Sequence, residues 1–161
     1  FKKYKILEDY VRAGYAARGI PNARGRREFE KDIFATGFYR NKTKNILAAA
    51  RLIKERFGSR VPRTMEEILT IPGVARKTAN VVLGNAYGIV EGIAVDTHVM
   101  RLSKILGLSH HTTPEKIEKD LIELVPKKDW FKFTYLLIDY GRAYCTARRH
   151  NHAECPLTKI I

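Results

Sequence analysis

An amine at Lys77, a carboxylate at Asp96 and a late group of soft ligands (Cys145, His150, His152 and Cys155) are the residues here whose types could do chemistry. Lys77 lies in residues 65–86, MEEILTIPGVARKTANVVLGNA. The pattern predicts a short helix ending at Ile71, a tight turn through Pro72, Gly73, Val74 and Ala75, and a second helix opening at Arg76 and Lys77. Gly73 opens a backbone conformation closed to other residues and lets a ligand approach the chain. The second helix then offers unpaired N–H groups and a partial positive charge to an anion. Such a hairpin holds backbone phosphate without reading bases. By residue type alone, a lysine opening a helix is a solvated surface charge. By the same standard, Asp96 is a helix cap.

The elements that must position these residues are helical. Tyr4, Leu7 and Val11 share one helix face, and Ile46, Ala49, Ala50, Ile53 and Phe57 repeat the period with Gly58 as the stop. A helix is expected from about Arg76 to Ala86. Asp96 caps the next, with Val99, Leu102 and Leu106 buried and Gly107 ending it. Thr113 is the expected cap of another, with Pro114 in its first turn and Ile117, Leu121 and Leu124 on its buried face. A last helix should run from Trp130 to Tyr144. Residues 90–95 are β-rich but too short and isolated for a sheet, so the expected fold is all-α. Residues 14–27, with three glycines, a proline and four arginines, read as a mobile basic loop.

Lys and Arg number 30 against 17 Asp and Glu, a net charge of +13 that points to a polyanionic partner. The charge is clustered. Residues 40–60 hold seven basic side chains against Glu55, and a second cluster closes the chain at Arg142, Arg148, Arg149 and Lys159. Clustering by sign suits a phosphate-tracking surface better than mere solubility. With 45% hydrophobic residues, a core can form, which excludes a wholly disordered chain. No apolar run approaches a membrane span, and two cysteines make no secreted disulfide framework. The expected compartment is cytoplasmic and nucleoid-associated, or nuclear in a eukaryote, and the expected state is a monomer.

LTIPGVARKTANVVL followed by GIAVDTHVMRL closely resembles the signature of endonuclease III, a family of the helix-hairpin-helix DNA glycosylases. The likeness runs on through DYGRAYCTAR. It implies two all-α lobes with DNA bound in the groove between them, here residues 1–92 and 93–161. Pro72, Gly73, Val74, Ala75, Arg76 and Thr78 are the implied DNA contacts, with Ala75 replacing the commoner second glycine. The resemblance makes Lys77 the nucleophile that attacks C1′ of a damaged deoxynucleoside, expels the base and forms a Schiff base, after which β-elimination cuts the strand. A helix N-terminus and Arg76 would both disfavour the charged amine. Asp96 matches the catalytic carboxylate, which stabilises oxocarbenium charge and shuttles protons. His98 is left out of that set. Lys77 also points to a bifunctional glycosylase and abasic-site lyase acting on oxidised pyrimidines in duplex DNA. The target base must leave the stack.

The resembled family closes with C-x6-C-x2-C-x5-C, four thiolates on a [4Fe–4S] cluster. Here Cys145 takes the first position, His152 the second, Cys155 the third and Ile161 the fourth. Isoleucine cannot be a ligand, so no stable cluster is expected. Zinc on Cys145, His150, His152 and Cys155 is a weaker alternative, and packing with basic contacts is the preferred account of this loop. The family's first helices and their glutamine-bearing loop find no match, so the chain is expected to be N-terminally incomplete. A non-catalytic helix-hairpin-helix DNA-binding module remains the alternative function.

Overall fold

The computed structural model describes residues 23–148 and 155–159, and these are helical with no strand among them. The all-α expectation therefore holds. The helix proposed through Tyr4, Leu7 and Val11 lies outside the described residues, as do residues 14–22, His150, His152 and Ile161.

The chain forms two compact units, Phe1–Val74 and Ala75–Ile161. Arg76 and Asn80 bond to Glu118, and all three lie in the second unit.

In the first unit, α1 spans Ala23–Asp32 and packs on α2, Tyr39–Arg56, with a short 3₁₀ turn at Phe34–Thr36 between them. The start of α1 corrects the loop expected through residue 27. An Arg26–Glu30 contact of 3.4 Å one turn apart and burial of Phe29 outweigh the helix-weakening Gly25. Gly58 ends α2 at φ 56°, as expected. Ala50 lies exposed, however, and Thr43 is the one fully buried residue described in α2. Thr64 caps α3, Met65–Leu69: its Oγ1 accepts from Glu67 N at 3.3 Å and donates to Glu67 Oε2 at 3.1 Å.

In the second unit, α4 spans Arg76–Val82 and runs into a π-helical turn, Leu83–Tyr87, closed by Gly88 at φ 67°. Residues 92–95 are buried and lie outside any helix or strand, and Ala94 O accepts from Thr134 Oγ1 at 3.2 Å. The β-rich stretch is thus a buried strap, not a sheet strand. Helices α5 (Thr97–Ile105), α6 (Pro114–Leu124) and α7 (Trp130–Ala143) follow. Ile93, Val95, Val99, Leu102, Ile117, Leu121, Leu137 and Cys145 form one core cluster. Thr113 precedes α6 but makes no side-chain capping bond. Ser109 orders that turn instead, donating to Asp120 Oδ2 at 2.5 Å and accepting from His111 N at 3.2 Å.

Candidate active site

Gly73 shows why the hairpin needs a glycine. Its φ is 79°, and an added Cβ would lie 2.7 Å from Asn45 Cβ. Val74 N closes the turn onto Ile71 O at 3.1 Å. Ala75 is extended, at φ −103° and ψ 170°, and offers no capping side chain. The first helical bond of α4 runs from Ala79 N to Ala75 O. The N–H groups of its opening turn thus have no intrahelical acceptor. Gly73, Ala75 and Lys77 are exposed, while Pro72, Val74, Arg76 and Thr78 are partly buried. The expected contact residues divide between the units, with 72–74 ending the first and 75–78 opening the second.

Lys77 is exposed and makes no hydrogen bond or ion pair among the described residues. Arg76 is committed differently from the sequence expectation. Its Nε donates to Glu118 Oε2 at 2.6 Å, so much of its charge is spent on that carboxylate instead of on its neighbour. Asn80 Nδ2 donates to the other oxygen of Glu118 at 3.1 Å. Glu118 is 5% exposed, and Gly92 packs against it so tightly that any Cβ would collide with Oε1. These bonds join positions 42 and 38 residues apart. Sequence reasoning missed Glu118 and Asn80 because no local period or cap signal links them.

Asp96 is half-buried and caps α5, as expected. Its Oδ1 accepts from His98 N at 2.8 Å and from Val99 N at 2.9 Å. Both capping bonds fall on one oxygen. Oδ2 has no partner among the described residues, so a carboxylate oxygen remains for another task. His98 contributes its main chain to this cap, and its buried Nδ1 finds no hydrogen-bond partner among the described residues.

The C-terminal thiols are occupied by protein groups. Arg101 Nη1 approaches Cys145 Sγ at 3.3 Å, and Nη2 donates to Cys145 O at 2.5 Å. The Tyr140 hydroxyl pairs with Cys155 Sγ and accepts from Leu157 N at 3.4 Å. Partial burial, then the Cys155 contact, raise the Tyr140 pKa above its usual 10.0. The residues do not fit a four-thiolate cluster. A cationic guanidinium faces one sulfur, a phenol binds the other, and histidine and isoleucine hold the remaining two positions.

The HhH-GPD superfamily of base excision DNA repair proteins matches residues 3–127. Endonuclease III of Bacillus subtilis is 44% identical across 99% of this chain and 68% of its own length. This chain belongs to the endonuclease III family. The Synechocystis endonuclease III is 54% identical over 135 residues, 84% of this chain. The chain spans about 62% of the length of that relative. Among solved structures, a non-covalent endonuclease III–DNA complex superposes with a TM-score of 0.83 at 36% identity, covering 98% of this chain and 71% of that one. A trapped endonuclease III–DNA covalent intermediate superposes at 0.82 with 35% identity, covering 96% and 72%. Family membership accounts for the order and spacing of the hairpin, Lys77 and Asp96 in one chain.

Proposed function

We propose that this chain carries the catalytic machinery of a base-excision DNA glycosylase with abasic-site lyase activity on oxidised pyrimidines in duplex DNA. The observation that carries the reading is the presence in one unit of two groups without a partner among the described residues: the amine of Lys77 and Oδ2 of Asp96. Lys77 Nζ attacks C1′ of the extruded nucleotide, the C1′–N bond breaks, and the base leaves with a proton. Asp96 Oδ2 stabilises positive charge developing on the sugar, takes the proton the amine sheds and passes it to the departing base, so the carboxylate is regenerated. Ring opening leaves a Schiff base to Lys77. Loss of a C2′ proton then expels the 3′ phosphate by β-elimination.

The hairpin residues 72–76 and Thr78 would line the DNA backbone, with the main-chain N–H groups of Gly73, Ala75, Arg76 and Thr78 as donors, since Pro72 has none and Val74 N is bonded to Ile71 O. The basic side chains of residues 40–60 are all exposed, which suits long-range attraction of the phosphates. We further propose that the protein works as a monomer where chromosomal DNA lies, in the nucleoid or nucleus. Among the described residues, no helix is long and apolar enough to cross a membrane.

The test is incubation with an abasic-site duplex and sodium borohydride, beside Lys77→Ala. A covalent adduct from the parent and none from the variant supports Lys77 as the Schiff-base nucleophile. A folded parent that binds DNA and forms no adduct overturns the lyase reading and leaves the non-catalytic binding module.

A further inference from the structure

We infer that Glu118 is a positioning residue that sets the placement of both Lys77 and Asp96. The inference rests on the catalytic reading of those two residues given above. Arg76 and Asn80, four positions apart on α4, lie on one face of that helix and converge on the two oxygens of the same carboxylate. Lys77 follows Arg76 by one residue, about 100° round the helix. Holding Arg76 and Asn80 inward therefore turns Lys77 outward, and Lys77 is exposed.

The same carboxylate seats the approach to Asp96. Gly92 lies against Glu118 Oε1 with no space for a side chain, and residues 92–95 run buried from that point to Asp96. One carboxylate on α6 thus braces the first turn of the helix that carries the amine and the strap that carries the acid. A buried carboxylate is costly unless its partners satisfy it, and an apolar residue of similar size would fill the space at less cost. What the carboxylate adds is direction. Two donors must meet it at fixed angles, and that fixes the rotation of α4. Reaction geometry tolerates little error, since a misplacement of about 1 Å can cost roughly 100-fold in rate.

The experiment measures the single-turnover rate of borohydride-trapped adduct and the Kd for an abasic duplex in the absence of borohydride. The proteins are the parent, Glu118→Gln, Glu118→Ala, Asn80→Ala and Lys77→Ala, each checked for folding by circular dichroism. Glu118→Ala is expected to lose roughly 10–100-fold in adduct rate with Kd unchanged. Glu118→Gln keeps the shape and one acceptor for Arg76, and its amide can donate to the unpartnered Oδ1 of Asn80 once that side chain turns over, so it is expected to recover most of that loss. Asn80→Ala removes one strut and is expected to slow the rate by about fivefold, so it carries the test if Glu118→Ala does not fold. Folded variants that react at the parent rate overturn the inference. So does a fall in rate matched by an equal fall in affinity, which would place Glu118 in DNA binding instead. An adduct that survives Lys77→Ala removes the catalytic reading itself, an outcome separate from either of these.

Discussion

The proposed mechanism gives Asp96 two tasks on two oxygens, and substitution can separate them. Oδ1 caps α5 through two main-chain N–H groups at 2.8 and 2.9 Å, while Oδ2 has no partner among the described residues and carries the proposed catalytic task. Asparagine caps as well as aspartate. Asp96→Asn loses the favourable charge at the helix N-terminus, about 0.5 kcal/mol. Asp96→Ala loses the cap as well, about 1–2 kcal/mol. At roughly 2–4 °C per kcal/mol for a chain of this size, the alanine variant should melt about 2–8 °C lower, and the asparagine variant within about 2 °C of the parent. Activity should not follow that order. Both variants lack the carboxylate, so both should lose about 100-fold or more in base release, in the range seen when one charge-stabilising group is removed. Thermal melts and single-turnover base release, run on the same preparations, give the two numbers. An asparagine variant that is stable and fully active would refute the catalytic assignment. One that melts as low as the alanine variant would refute the cap argument.

Gly73→Ala should destabilise the first unit by about 2 kcal/mol, read from urea unfolding, because φ is 79° and the added Cβ meets Asn45 at 2.7 Å. Tyr140 has its pKa raised above 10.0 by burial and by Cys155, so its contribution to stability is fully present below pH 10 and declines as pH rises through the folded value. The melting-point gap between the parent and Tyr140→Phe should therefore narrow between pH 9 and pH 11, and a constant gap would contradict it. Metal analysis of protein made in iron-replete cells should find no stoichiometric iron, because Arg101 and Tyr140 already engage the two thiols; stoichiometric iron with a visible charge-transfer band would refute this.

Features governed by neighbouring residues were legible in advance. The Asp96 cap, the Gly58 and Gly107 stops and the helix from Trp130 each follow from side-chain chemistry within one turn, and each is present. Local rules also failed locally. Thr113 has the right type for a cap, yet Ser109 and Asp120 order that turn. Residues 23–27 carry loop composition, yet Phe29 gains more by burial in a helix than Gly25 loses.

The sequence by itself determined the family and the helical class, and nominated Lys77 and Asp96 as the reactive side chains, since motif order and periodicity are properties of the chain alone. Only the tertiary structure decided which groups remain free to react. Arg76 and Lys77 are adjacent and both cationic, yet the fold ties Arg76 to Glu118, 42 positions away, and leaves Lys77 unpaired. The physical reason is burial. A carboxylate taken out of water claims the donors that packing brings to it, and packing joins residues that no spacing along the chain connects.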